Sequence, residues 1–213
     1  DNPLATKFGG RFTAQSDVVN ALQLAKEGGL TPEKLSAICE MNLAYIDEIE
    51  EQFAQILSPT LNYSAINDLH KKVEQLPNHA NEEQITPFTS LKRAILNELE
   101  EAMEKDNGTN KTKNVGSWKA KFLQNENGKK GMHKERQKNT WWIALSDVYK
   151  KYRDNMHAKG HYDYADMLVE VLSQLDKCPQ LLNEVQEHYQ YVLIDEFQDS
   201  NAAQLRLSYL VAN

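Results

Sequence analysis

Cysteine and long apolar runs are both scarce in this 213-residue chain. The two cysteines, Cys39 and Cys178, lie far apart and form no metal-ligand pattern, which favours a reducing cytosolic setting over a disulfide scaffold. No apolar run approaches the length of a membrane span, and the first residues lack the basic and apolar regions of a signal peptide. We therefore expect a cytoplasmic protein that has no membrane partner.

Motifs of phosphate and metal chemistry are missing as well. The chain contains no Gly-x-x-x-x-Gly-Lys-Ser/Thr loop, so it has little to hold the β- and γ-phosphates of ATP. It has no Glu-x-x-His pair on a predicted helix and no EF-hand loop, which argues against a metal-carboxylate bundle enzyme. We therefore expect that this chain alone does not hydrolyse ATP.

Amphipathic helices dominate what is present. Apolar residues make up 40% of the chain, and their spacing of three and four residues predicts a mainly α-helical protein with one short strand at 191–195. Start and stop signals such as Thr31-Pro32 and Gly28-Gly29 mark the helix ends. The helices are predicted at about Ser16–Gly28, Thr31–Ser58, Ser64–Leu76, Thr86–Asp106, Ser117–Leu123, Thr140–Gly160 and Asp163–Leu175, and after Pro179 and Asn201.

Positive charge is concentrated in one segment of an acidic chain. The net charge is −7, but residues 111–138 carry a charge of +7, which leaves −14 on the remainder. A basic block on an acidic body is typical of a polyanion-binding site, and aromatic residues within it could stack on bases. A solvated basic loop that binds nothing fits the composition equally well. The predicted DNA-binding residues are Lys111, Lys113, Trp118, Lys119, Lys121, Lys129, Lys130, Lys134 and Arg136.

The stretch at 191–201 joins an apolar run directly to several acids. Residues 191–194 are apolar and mostly β-favouring, which predicts a buried strand, and Asp195 and Glu196 follow at once. One carboxylate can hold a hydrated Mg²⁺ while its neighbour polarises a water, as phosphoryl transfer requires. The alternative is a strand that leads into a helix capped by Ser200 or Asn201, and both interpretations can hold together.

The phrase from Val192 to Asn201, with Asp195-Glu196-Phe197-Gln198-Asp199 at its centre and Gln204 shortly after, resembles motif II of superfamily 1 DNA helicases of the UvrD/Rep/PcrA type. Motif II is the Walker B element of that family. The segment from Asp163 to Leu168 resembles the Asp-Phe-x-x-Leu-Leu phrase that precedes motif II, with Tyr164 in place of the usual Phe. For Asp163 we favour helix capping over a ligand role.

The resemblance implies roles for four residues of the phrase. Asp195 would bind the Mg²⁺ of Mg-ATP, and Glu196 would be the general base for the attacking water. Gln198 would contact the γ-phosphate and relay its loss to the DNA site, while Asp199 would support that network through hydrogen bonds. Mg²⁺ and ATP are therefore expected as cofactors of the intact parent, and neither is expected to be bound by this piece.

The resemblance also implies a domain organisation. Residues 1–140 would form a helical accessory subdomain of the 1B type with the basic loop 111–138, and residues 141–213 a part of a RecA-like α/β domain. The Walker A loop and second RecA-like domain of the family are absent, so we expect an inactive piece of an ATP-dependent helicase. Its partners would be single-stranded DNA, the duplex junction and the remaining helicase domains. The alternative is a non-enzymatic helical module that binds nucleic acid or protein.

Overall fold

The protein is mainly α-helical, as predicted, in a computed structural model. It describes residues 3–5, 7–8, 11–12, 14–79, 88–107, 111–126 and 129–212. The chain forms two compact units, which we call the split unit (residues 1–36 and 141–213) and the central unit (residues 37–140). This division groups residues 1–36 with residues 141–213, whereas the sequence predicts a single boundary at about residue 140. The assignment of these units to an accessory subdomain and a RecA-like domain stays a prediction.

The described elements are nine α-helices, two short 3₁₀ turns and two hairpins. The helices are α1 (Gln15–Glu27), α2 (Pro32–Leu57), α3 (Ile66–Glu74), α4 (Leu91–Asp106), α5 (Lys113–Phe122), α6 (His133–Ala158), α7 (Tyr164–Lys177), α8 (Pro179–His188) and α9 (Ala202–Val211). The 3₁₀ turns are Tyr63–Ala65 and Phe197–Asp199. The hairpin strands are β1 (Lys7–Phe8) with β2 (Arg11–Phe12), and β3 (Gln124–Glu126) with β4 (Lys129–Gly131), both antiparallel.

Several helix ends follow directly from local sequence. Thr31 Oγ1 accepts the Lys34 N–H at 3.2 Å at the start of α2, which confirms the predicted cap. Gly29 ends α1 with a φ of 70°, a left-handed conformation that favours glycine. A Cβ at Gly29 would also lie 2.9 Å from Leu172, so the site has no room for a side chain. The predicted start of a helix at Thr86-Pro87 lies outside the described residues, and α4 begins at Leu91 with Ser90 as its cap.

The central unit is built on one continuous apolar core. One face of α2 contributes a buried stripe, and α3, α4 and α5 each pack apolar side chains against it. Each such side chain stabilises the fold by about 1.5–3 kcal/mol when it is fully buried. The deepest members are Ile46, Ile49, Phe53, Leu57, Val73, Ile95, Leu99, Val115 and Met132.

The split unit has smaller apolar contacts. Leu4, Ala21 and Leu145 are buried together, with Trp141 and Trp142 packed against them. Elsewhere in this unit, the Tyr149 hydroxyl donates a hydrogen bond to the Leu30 carbonyl at 3.2 Å, and burial raises the pKa of this phenol. The buried side of α7 consists of Ala165, Asp166, Val169, Leu172 and Leu175.

Two regions differ from the predicted secondary structure. The described part of the predicted basic loop 111–138 contains α5, the β3–β4 hairpin and the first turns of α6, and α5 overlaps the helix predicted at Ser117–Leu123. Helix α6 therefore begins at His133 and not at about Thr140. The predicted strand at 191–195 is also absent, because no neighbouring strand exists among the described residues to accept its backbone hydrogen bonds.

Candidate nucleotide and nucleic-acid sites

The apolar residues before the acids of the 191–201 stretch are exposed to solvent. Tyr191 and Leu193 have exposed fractions of 87% and 96%, and Ile194 is exposed as well. A segment that is buried on both faces in a sheet has an apolar surface of this kind when its neighbours are missing. The segment therefore presents Asp195 and Glu196 at the end of an extended, uncovered chain.

The backbone turns sharply at the second acid. Glu196 has a φ of 49° and a ψ of 46°, and it is the one non-glycine residue with positive φ in the described parts of the chain. Its N–H donates to Asp195 Oδ1 at 2.9 Å, and its carboxylate accepts a hydrogen bond from the Gln198 side-chain amide. A left-handed conformation costs a residue of this type about 1–2 kcal/mol and is found often at functional sites.

The acids continue into a capped helix. The Asp199 N–H donates to the Glu196 carbonyl at 2.9 Å, which closes the 3₁₀ turn at Phe197–Asp199. Asn201 then accepts the Gln204 N–H at 2.9 Å, and the Gln204 side chain accepts the Asn201 N–H at the same distance. This capping box confirms Asn201 as the start of α9.

The side chains of Asp195, Glu196, Gln198 and Asp199 are all exposed. Carboxylate oxygens are the ligands that Mg²⁺ prefers, and Mg²⁺ often uses one or two of them while it keeps several waters. Within the described parts of the chain, no group of three or more His, Cys, Asp or Glu residues is arranged to hold a metal ion. The segment thus offers ligands of the right chemistry without a complete coordination shell.

Asp163 is a structural residue at the start of α7. It accepts the Asp166 N–H at 2.8 Å in a capping box, which confirms the predicted cap. The carboxylates of Asp163 and Asp166 each bind the buried Lys26 ammonium at 2.6 Å. Burial alone would lower the pKa of Lys26, but these two bonds outweigh it and raise that pKa.

Trp118, which is predicted to stack on DNA bases, lies inside the core of the central unit. Trp118 is only 5% exposed, and its indole N–H donates to the Ile95 carbonyl at 3.2 Å inside the core. Phe122 is buried beside it, with the two ring centroids 5.5 Å apart. The signal was in the sequence, because Val115, Trp118 and Phe122 lie three and four residues apart, as on one face of a helix.

The cations of the basic segment divide into two groups. Lys121 forms an ion pair with Glu98 at 2.5 Å, Arg136 forms pairs with Asp47 and Glu50, and Lys119 donates to the Pro59 carbonyl at 2.8 Å. Lys138 lies 3.6 Å from the Glu135 carboxylate. Five further cations of the segment are exposed: Lys111, Lys113, Lys129, Lys130 and Lys134. No described acid forms an ion pair with Lys113, Lys129, Lys130 or Lys134.

Lysines from two elements of the central unit influence each other electrostatically. Burial lowers the pKa of Lys119, and the positive charge of Lys130 lowers it further. Because Lys119 is on α5 and Lys130 is on β4, the helix and the hairpin contribute cations to the same region. Clustered, unneutralised lysines attract a polyanion.

An acid holds the beginning of the basic helix. Asp106, the last residue of α4, accepts the backbone N–H groups of Asn114 and Val115, each at 3.0 Å, and the Asn114 side-chain amide at 2.7 Å. Burial alone would raise the pKa of Asp106, but these bonds outweigh it and hold the pKa below its usual range. From its local sequence, Asp106 is predicted only to end the preceding helix, because its partners Asn114 and Val115 lie eight and nine residues away.

Comparison with known proteins agrees with the resemblance of the motif. Residues 36–213 match the family described as UvrD/REP helicase N-terminal domain. DNA helicase II of Haemophilus influenzae is 34% identical over 71 residues, which are 33% of this chain and 9% of that protein. The ATP-dependent DNA helicase PcrA of Bacillus subtilis is 33% identical over 64 residues, which are 30% of this chain and 9% of that protein. No solved structure matches the chain.

The family match covers well over half of the chain. The chain therefore belongs to the UvrD/REP helicase family. The matched segments span about a tenth of the length of the curated relatives. None of the described helices is both long and apolar enough to cross a bilayer.

Proposed function

We propose that this chain is part of an ATP-dependent DNA helicase, to which it contributes the Walker B motif and contacts to DNA. The observation that supports this most directly is the phrase Val192–Asn201, which leads from an apolar run into exposed acids within a chain of the UvrD/REP family. Without a phosphate-binding loop, the chain alone is inactive. In the longer protein, hydrolysis of ATP drives movement on DNA and its unwinding.

The acidic segment performs the chemistry of ATP hydrolysis in this proposal. Asp195 would hold the Mg²⁺ that accompanies ATP, and the bound ion would supply positive charge beside the phosphates. Glu196 accepts the proton of the attacking water. The Gln198 amide, which donates to the Glu196 carboxylate, orients that base and responds to the γ-phosphate. Asp199 supports the turn that carries both side chains.

The DNA contacts are made by the basic surface of the central unit, by which we mean the exposed Lys111, Lys113, Lys129, Lys130 and Lys134. Exposed lysines bind phosphates without reading sequence, so this surface fits the backbone of single-stranded DNA or of a duplex junction. Lys129 and Lys130 on β4 and Lys113 on α5 are the strongest members, because they are exposed and form no ion pair with a described residue. Arg136 and Lys121 are weaker candidates for DNA contact, since carboxylates already neutralise them.

Replacement of Glu196 tests the proposal in the full-length helicase. We expect Glu196→Gln to lower the ATPase rate about 10²–10⁴-fold, because the amide cannot accept the proton, while binding of ATP is retained. Glu184→Gln is the matched control, because Glu184 is an exposed acid on α8 in the same unit. A Glu196→Gln protein that hydrolyses ATP at nearly the wild-type rate would refute the assignment.

A further inference from the structure

The β3–β4 hairpin is fixed at several points within the central unit. Its strands pair from Gln124 with Gly131 to Glu126 with Lys129. The Lys134 N–H donates to the Gln124 side chain at 3.1 Å, which ties β3 to the start of α6. The His133 ring contacts a residue of each strand, 3.4 Å from the Glu126 carboxylate and 3.2 Å from the Lys129 carbonyl. The hairpin that carries Lys129 and Lys130 is therefore fixed in place by contacts with the start of α6.

A single carboxylate from α2 connects the hairpin to α6. Glu50 Oε1 accepts the backbone N–H of Met132 at 2.7 Å, directly after β4. Glu50 Oε2 accepts a hydrogen bond from Arg136 Nη2 at 2.8 Å, one turn into α6. The other end of the guanidinium binds Asp47 Oδ1 at 2.5 Å, one turn earlier on α2. Both oxygens of Glu50 are thus in use, each on a different element.

The position of this carboxylate depends on a glycine. A Cβ at Gly131 would lie 2.6 Å from Glu50 Oε1 and 3.2 Å from Glu50 Cδ. The carboxylate therefore occupies the space that a side chain at 131 would need. Burial alone would raise the pKa of Glu50, but the bonds from Arg136 and Met132 outweigh it and hold that pKa below its usual range.

We propose that Glu50 and Arg136 form a clamp that positions Lys129 and Lys130 for phosphate contact, and that Arg136 is a positioning residue and not a phosphate ligand. This inference rests on the proposed DNA contact of the basic surface. It also corrects the sequence-based assignment of Arg136, whose guanidinium is neutralised by two acids. The lysines of the hairpin, by contrast, lie exposed with their charges available.

The direction in which Glu50→Gln changes the affinity for DNA distinguishes a positioning role of Glu50 from a purely electrostatic one. Glu50→Gln removes a negative charge near the basic surface, and an amide has one oxygen where the clamp needs two. If the clamp positions the lysines, this variant should bind duplex DNA roughly fivefold more weakly at about 0.15 M salt, which corresponds to one lost phosphate contact. If Glu50 only competes with a DNA phosphate for the Arg136 guanidinium, the same variant should bind DNA more tightly. Glu51→Gln, an exposed neighbour on α2, measures the effect of the charge alone.

A substitution that leaves the charge unchanged provides an independent test. Gly131→Ala keeps every charge but displaces the Glu50 carboxylate from its place beside Met132. We expect weaker DNA binding of the same size as in Glu50→Gln. Gly116→Ala is the matched control, because a Cβ at Gly116 on α5 meets no atom within 4 Å.

A double-mutant cycle tests whether the clamp acts through the hairpin lysines. In a Lys129→Gln, Lys130→Gln background, Glu50→Gln should have little further effect on DNA binding, because the groups that it positions are gone. A merely structural role of Glu50 would give the same fold-loss in both backgrounds. All variants are made in the 213-residue chain, and far-ultraviolet circular dichroism verifies that each is folded.

The possible results separate this inference from the function on which it rests. Weaker binding by Glu50→Gln and Gly131→Ala, with both controls unchanged and the effect lost in the double-lysine background, supports the clamp. Binding that Glu50→Gln strengthens, or that Gly131→Ala leaves unchanged, overturns the clamp alone. A wild-type chain that binds duplex DNA without salt dependence, or not at all, overturns the proposed DNA contact together with the clamp.

Discussion

The basic hairpin and the acidic segment at 195–199 both carry dense charge, but the chain holds them in opposite ways. The hairpin is fixed by residues far away in sequence, such as Glu50, which binds Met132. The hydrogen bonds described above for the acidic segment join residues at most three positions apart. The apolar residues nearby differ in the same sense, because Trp118 is 5% exposed and Leu193 is 96% exposed.

This contrast has a simple physical origin. A helix satisfies its own backbone hydrogen bonds, so a few amphipathic helices can build a core without help from the rest of a protein. A strand takes its hydrogen bonds from neighbouring strands, and none lies beside 191–195 in the described chain. The central unit thus has an apolar core of its own, whereas no described strand lies beside the acidic segment.

The largest expected effect on stability comes from a substitution in the core of the central unit. Trp118→Ala should lower the free energy of unfolding by about 3–5 kcal/mol, because it removes a buried aromatic ring together with its hydrogen bond to the Ile95 carbonyl. Urea unfolding of the chain measures this value. Lys113→Ala, at an exposed residue of α5, is the control and should change the free energy of unfolding by no more than about 0.5 kcal/mol. A Trp118→Ala protein of wild-type stability with impaired DNA binding would restore the predicted stacking role.

A smaller effect concerns pH and the start of α5. The pKa of Asp106 is lower in the folded state than in the unfolded state. Its carboxylate therefore contributes fully to the free energy of unfolding above the unfolded-state pKa, and this contribution is lost as pH falls through the folded-state pKa. Thermal unfolding between pH 5 and pH 2 should therefore show a steeper loss of stability in the wild type than in Asp106→Asn, which cannot ionise. Asp68→Asn, at an exposed acid of α3, is the matched control for the loss of one carboxylate. Equal pH profiles for the wild type and Asp106→Asn would contradict the role of this carboxylate.

Features that depend on near neighbours could be predicted from the sequence. The caps at Thr31, Asp163 and Asn201 each involve a partner three residues away, so a short window contains the whole interaction. The resemblance at 192–201 is equally local, and the family match bears it out. The mainly α-helical fold followed from apolar spacing in the same way.

Features that depend on distant partners could not be predicted. Glu50 and Arg136 are 86 residues apart, and nothing in either segment indicates the other. The start of α6 at His133 was missed because its buried residues there are polar, with Asn139 bonded to Asn42 at 3.1 Å and to the Glu135 carbonyl at 2.8 Å. A buried polar face gives no apolar period, so the pattern was interpreted as a loop.

The smallest expected effect is at the exposed run before the acids. Leu193→Ser should change the free energy of unfolding of this chain by no more than about 0.5 kcal/mol, because the side chain loses almost no buried surface. Leu172→Ser on α7 is the matched control, since Leu172 is only 1% exposed and its loss should cost about 2–5 kcal/mol.

The same Leu193→Ser substitution should behave differently in the full-length helicase. If 191–195 is a central strand there, Leu193 becomes buried on a sheet face, and the substitution should cost well over about 1 kcal/mol. A cost that stays negligible in both proteins would contradict the predicted strand. A large cost in the 213-residue chain would instead show that Leu193 is covered in solution, which would remove the contrast between the two charged regions.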